Sequence, residues 1–149
     1  MSYWGLAMGL LVAFLWIQQQ PKNKRITWWD GIVLSGLLAW SIGRLGNYYA
    51  ADSVGVASQY WPWFYGHVPI QLLESLLCLG LFFDLRRSKK PGQITWIGLL
   101  GYFAGRAIID SWRLESVWGG LHSSQWVSLT VVFLLLIGWY VRKQRKGTF

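Results

Sequence analysis

The chain reads as five apolar runs separated by short polar or aromatic connections. The runs are Tyr3–Ile17, Trp28–Ile42, Pro69–Leu85, Ile94–Ile109 and Trp126–Val141. Each falls short of the ~20 residues that cross a hydrocarbon core, and flanking Trp, Tyr and Gln extend them through the interface. The pattern predicts an all-α polytopic membrane protein of about five transmembrane helices, forming a single domain over residues 1–149. The first run, "MSYWGLAMGLLVAFLWI", has no basic leading region and no convincing cleavage site, so it reads as a retained span.

Charge placement supports the same count. Lys22, Lys24 and Arg25 separate runs one and two; Arg86, Arg87, Lys89 and Lys90 separate three and four; Arg142, Lys143, Arg145 and Lys146 follow run five. The connections at 46–68 and 114–125 hold neither Lys nor Arg. Basic connections therefore alternate with neutral ones, which places the N-terminus outside and the C-terminus in the cytoplasm. The "SKKPGQ" stretch at 88–93 is a tight-turn signal. The aromatic connection at 46–68 is too poor in charge for a free loop and is expected to lie on the outer membrane surface or fold back over the helices.

Composition agrees. Apolar residues make up 54% of the 149 positions and charged residues 13%, against about 25% charged in soluble domains. Twelve tryptophans fit aromatic belts at a membrane boundary. The net charge of +8 could point to nucleic acid, but such a partner needs one solvated basic face, and these charges sit in clusters between apolar runs. The single cysteine, Cys78, excludes an intrachain disulfide and a multi-cysteine metal site, and reads as a small buried residue. No metal or cofactor is called for.

Three basic residues remain outside the topological clusters: Arg44, Arg106 and Arg113. Ionisable groups at membrane depth are costly and face a bundle interior or a wet cavity. In "GYFAGRAIIDSWR", Tyr102, Arg106, Asp110 and Arg113 fall on one helical stripe. A self-neutralising Arg106–Asp110 pair would explain two of the four and leave Arg113 over. Gln71 and Glu74 share a face of run three, and Glu74 has no basic residue near it in sequence, so its partner belongs to another helix, Arg44 or Arg106. Either a structural interhelical salt bridge or a positively charged cavity near the outer leaflet fits this set. In the second case the guanidiniums would hold an anionic lipid head group through bidentate hydrogen bonds. Gly43 and Gly46 would let the backbone approach closely, and Asn47 would add an amide donor. His67 and His122 lie in the exported connections as proton carriers or as plain hydrogen-bonding residues. Asp84 reads as a solvated helix-end charge.

"GRLGNYYAADSVG" resembles the signature of the prolipoprotein diacylglyceryl transferase family, matching at Gly43, Arg44, Gly46, Asn47 and Gly55, with Asp52 for the family's Glu. "VPIQLLE" resembles a second block through Pro69, Gln71 and Glu74; "YFAGRAIIDSWR" resembles a third through Tyr102, Arg106 and Arg113, with Asp110 for Glu. "SSQWVSL" resembles a last block at Gln125 and Ser128. Tyr3 stands where the family has a histidine, and Val68 where it has another, with His67 one place earlier. The family's first two helices have no counterpart.

The resemblance implies transfer of a diacylglyceryl group from phosphatidylglycerol to the lipobox cysteine of a prolipoprotein signal peptide, in a bacterial plasma membrane. It implies reaction roles for Arg44, Arg106, Glu74, Asp110, Asp52 and His67, and lipid-binding roles for Arg44, Asn47, Gln71, Tyr102, Arg106 and Arg113. Two other functions fit the residues: a degenerate relative that binds anionic lipid or prolipoprotein without turnover, and a small transport or structural protein whose arginines only pair with carboxylates.

Overall fold

The computed structural model describes residues 3–50, 55–60, 66–87, 92–114 and 117–146. The turn expected from "SKKPGQ" lies mostly outside them, as do Lys89 and Lys90. Among the described residues five helices carry the fold: α1 (Tyr3–Gln19), α2 (Lys22–Tyr49), α3 (Ile70–Leu85), α4 (Gln93–Ile109) and α5 (Ser123–Lys146). A single 3-10 turn, Asp110–Trp112, follows α4, and strands β1 (Val117–Trp118) and β2 (Leu121–His122) form a small hairpin before α5.

Four of the predicted runs match helices closely, while α2 is longer than its apolar core at both ends. Its first turn contains Lys22, Lys24 and Arg25, and it continues past Arg44 to Tyr49. The basic cluster is thus helical rather than a loop. Arg25 closes the corner by donating from Nε to Gln20 O at 2.9 Å and from Nη1 to Gln18 Oε1 at 3.0 Å, so it satisfies the end of α1.

Consecutive helices run antiparallel. Asp30 in α2 lies beside the start of α4, Leu85 at the end of α3 reaches Gly98, and Glu74 near the start of α3 meets Arg44 near the end of α2. Buried Asp30 caps α4 from a different helix: the Gly92 and Thr95 backbone N–H groups donate to it at 2.6 and 2.9 Å, and the Thr95 hydroxyl donates at 2.6 Å. These are the orphan amides that a helix start must satisfy. Gly92 enters the helix at φ +86°, a conformation that favours glycine.

The helices meet through small residues. A methyl group on Gly98 would lie 2.7 Å from Val33, one on Gly101 2.8 Å from Leu81, and one on Gly105 2.5 Å from Leu77. That stripe lets α4 sit close to α2 and α3, the usual solution where lipid offers no hydrophobic drive between helices. Buried Ser41 and Ser75 join α2 to α3, with their hydroxyl oxygens 2.8 Å apart. Leu37, Cys78 and Leu85 form one core cluster, and Val68, Ile70 and Ile109 another. Cys78 is fully buried and unpaired, as its setting predicts.

By length and apolarity, one helix among the described residues suffices to cross a membrane: Ser123–Gln144, 22 residues with mean hydropathy 1.7 in its best window. Only 11% of that window is buried within the protein, and Phe133, Leu134 and Trp139 point outward. Helices α1, α3 and α4 stop at 16 or 17 residues.

The described parts of the 46–68 connection fold back over the helix ends. Val56 N–H donates to Trp112 O at 2.8 Å, Val68 N–H donates to Val56 O at 3.1 Å, and Val56 packs on the Val68–Ile70–Ile109 cluster. Gly55 is buried here; a side chain would meet Val68 O at 2.6 Å.

Candidate functional site

Antiparallel packing collects four helix ends at one pole: the end of α2, the start of α3, the end of α4 and the start of α5. Each contributes polar groups, and two fully buried carboxylates organise them. Glu74, one turn into α3, has no solvent exposure, nor has Asp110, the first residue of the 3-10 turn.

Glu74 gathers arginines from two other segments. Arg44 Nε lies 2.8 Å from its Oε2, and Arg113 Nη2 donates to its Oε1 at 3.1 Å; Arg106 Nε stands at 4.0 Å. The Arg44 contact is close but off the N–H line, so it is electrostatic rather than an aligned hydrogen bond. Asp110 accepts from Arg113 Nε at 2.7 Å and lies 3.4 Å from Arg106 Nε. Arg106 Nη1 donates to the Tyr102 hydroxyl at 2.8 Å. Three guanidiniums thus face two carboxylates, which leaves one positive charge over.

The predicted partnership of Glu74 with another helix holds, and Arg113 joins it. The single helical stripe of Tyr102, Arg106, Asp110 and Arg113 does not. Helix α4 ends at Ile109, and the tighter 3-10 turn then an extended residue swing Arg113 back onto Asp110. The stronger pair is therefore Arg113–Asp110 rather than Arg106–Asp110, which leaves Arg106 freer.

The terminal nitrogens of Arg44, and Nη2 of Arg106, make no hydrogen bond with the described residues. Their side chains keep 13% and 20% exposure, against zero for the carboxylates. Trp40, one turn before Arg44, lies under its guanidinium at 5.0 Å and meets the Tyr102 ring edge-on at 6.2 Å. Sequence reasoning did not single out Trp40, although its i,i+4 spacing from Arg44 is the signal that finds it.

Gln71 is buried one turn before Glu74, and Asn47 is half-buried one turn after Arg44. His67 is half-buried in a backbone bridge with Ala57. Asp52 lies outside the described residues. Gly43 and Gly46 are exposed, with nothing within 4 Å of a would-be side chain, so their backbone faces open space rather than another part of the protein.

His122 is the more buried histidine at this pole, at 8% exposure. Its backbone N–H donates to Gln125 Oε1 at 2.9 Å, and Gln125 Nε2 donates to Ala107 O and Ser111 Oγ at 2.9 and 3.0 Å. Gln125 thereby ties α5 to the break that carries Asp110.

The blocks that meet here come from α2, α3, α4 with its following turn, and α5. Residues 1–141 match the prolipoprotein diacylglyceryl transferase family, a family of bacterial membrane enzymes. The phosphatidylglycerol–prolipoprotein diacylglyceryl transferase of Streptococcus uberis is 31% identical, across 97% of this chain and 63% of the relative. Those of Streptococcus suis and Streptococcus pneumoniae are 30% and 27% identical, across 97% and 99% of this chain and 61% and 63% of the relatives. The chain therefore spans rather less than two thirds of the length of the curated relatives it matches. No solved structure matches it. The chain belongs to the prolipoprotein diacylglyceryl transferase family.

Proposed function

We propose that this chain transfers a diacylglyceryl group from phosphatidylglycerol to the lipobox cysteine of a prolipoprotein, acting in a bacterial plasma membrane. The observation that carries the reading is the pairing of a buried carboxylate frame with guanidiniums whose outer nitrogens are unoccupied by the described residues. Glu74 and Asp110 fix the arginines at depth; Arg44 and Arg106 present donors outward. A phosphate diester fits such a pair because planar guanidinium groups bind its oxygens bidentately.

With the phosphate held between Arg44 and Arg106, the glyceryl carbon bearing it is open to attack. The substrate cysteine, deprotonated, forms a C–S bond to that carbon. The C–O bond breaks, its electron pair leaves with glycerol phosphate, and the arginines stabilise the departing charge. Tyr102 and Trp40 hold the two guanidiniums in position. Asn47 and Gln71 flank the site as further lipid contacts. Among the proposed proton acceptors, Asp110 already lies against two guanidiniums, which fits a positioning role. That favours His67 or, outside the described residues, Asp52.

Five spans with the N-terminus outside accompany this reading. Antiparallel packing puts Arg25, Arg86, Arg87, Arg142 and Lys143 at the pole opposite Glu74, as a cytoplasmic face requires. The arginine site then lies toward the outer leaflet. Residues 1–149 form one domain in this reading, since α2, α3 and α4 share the Leu37–Cys78–Leu85 cluster, and α3 and α4 also share the Val68–Ile70–Ile109 cluster.

Complementation of a bacterium depleted of its own transferase tests the function. Growth and lipidated prolipoprotein are expected on expressing this chain. Persistent unlipidated precursor, with the chain present in the membrane, would leave lipid binding without turnover as the better reading.

A further inference from the structure

The basic pole carries a second site that the arginine cluster does not use. A groove of about 700 Å3 lies between α4 and α5, walled by Trp96, Leu100, Leu135 and Trp139, with Arg142 and Lys143 at its mouth. We propose that it binds one anionic phospholipid, with an acyl chain between the helices and the phosphate on Arg142 and Lys143.

The groove follows from how the helices meet. Gln125 pins α5 to Ala107 and Ser111 at the far pole. Toward the basic pole, Gly138 allows Trp96 to approach closely, with a would-be side chain only 3.0 Å from its ring. Beyond that contact the helices carry large side chains that line a gap instead of filling it. Its volume falls within the ~300–1,000 Å3 of small-ligand sites.

The lining selects the ligand class. The wall is aliphatic and aromatic, which suits hydrocarbon. The mouth has two cations: Lys143 Nζ rests 5.3 Å over the Trp139 ring, which holds the ammonium at the rim, and Arg142 is exposed beside it. Neither forms an ion pair with a described carboxylate. Basic pockets between membrane helices on the cytoplasmic side attract anionic head groups, each charge contributing a measurable share. The two sites lie at opposite ends of α4, about 20 Å apart from Gln93 to Arg106 at ~1.5 Å per residue. Only the choice of leaflet rests on the proposed topology; the groove and its charge do not.

Native mass spectrometry of the purified full chain, titrated with dioleoyl phosphatidylglycerol and separately with dioleoyl phosphatidylcholine, tests the proposal. Two phosphatidylglycerol molecules are expected, and the groove site should discriminate against phosphatidylcholine. The Arg142→Gln/Lys143→Gln double variant should weaken one of them by about 30-fold, the product of two surface charges. Arg44→Lys should spare that one and weaken the other. Leu100→Trp fills the groove without touching the charges and should displace the groove lipid. Unchanged phosphatidylglycerol retention in the double variant, or equal retention of phosphatidylcholine by the groove, would overturn the proposal. So would a stable dimer whose groove takes up no lipid, because a second copy would then be the occupant. Failure of the arginine site alone would show as loss of the Arg44-sensitive lipid with the groove lipid intact.

Discussion

Arg44 Nε lies 2.8 Å from Glu74 Oε2, and the carboxylate it meets has no solvent exposure while the arginine keeps 13%. One residue thus anchors and the other faces outward. Glu74 also takes Arg113, so removing its charge strands Arg44 and leaves Arg113 with Asp110 alone. Glu74→Gln should lower stability by about 3 kcal/mol, the usual cost of breaking a buried pair. Thermal unfolding in detergent, followed by near-ultraviolet circular dichroism, measures it. An unchanged midpoint would mean that Glu74 organises nothing.

Asp30 joins α2 to the start of α4 through three hydrogen bonds. Asp30→Ala should cost ~1–2 kcal/mol, as capping deletions do, and should speed amide exchange at Thr95 and Trp96. Exchange at Arg106 should stay slow, because the far end of α4 is held by Gln125. Uniform acceleration along α4 would contradict a local cap.

The glycines divide into two groups by what surrounds them. Gly105→Val drives a side chain into Leu77, 2.5 Å away, and should separate α3 from α4 at a cost of several kcal/mol or outright loss of fold. Gly43→Ala enters open space on an exposed helix face and should be neutral or stabilising by up to ~1 kcal/mol. Expression level and thermal midpoint of the two variants, measured side by side, distinguish them. Equal damage from both would overturn the packing described.

Gln125 acts on the site from a distance by holding the turn after α4. Gln125→Ala frees Ala107 O and Ser111 Oγ and should lower transfer turnover while leaving the phosphatidylglycerol affinity within about threefold, since neither Arg44 nor Arg106 bonds to it. Single-turnover transfer to a lipobox peptide, with lipid affinity measured separately, is the check. Equal losses in both would place Gln125 in the lipid site itself.

The helices were legible because apolar runs span α1, α3 and α4 and a basic break marks one end of each. The ends of α2 were not: Lys22 to Arg25 and Gly46 to Tyr49 read as connection, yet helical hydrogen bonding continues wherever side chains can reach solvent or an interface. Tyr102 with Arg106 was legible from i,i+4 spacing, and Glu74 announced a partner elsewhere by having none nearby. Asp30 with Thr95 was not, because a cap supplied 65 residues away leaves no local pattern. Gly43 and Gly46 make close approach to no other part of the protein, so their open backbone is available only to a molecule from outside it. The 3-10 turn at Asp110 was hidden as well, since the helical spacing of Tyr102, Arg106, Asp110 and Arg113 continues across it in sequence.

Whether Arg44 and Arg106 hold a lipid phosphate or only balance carboxylates is decided by exchanging guanidinium for ammonium. Lysine keeps the charge that Glu74 and Asp110 need but loses the planar fork. Phosphatidylglycerol affinity of the Arg44→Lys and Arg106→Lys variants, measured on folded protein of wild-type thermal stability, is the direct test. A loss of about 10-fold or more at each position, equivalent to ~1.4 kcal/mol, is the predicted result. Wild-type affinity in both lysine variants would contradict it and reduce the cluster to an internal salt-bridge network.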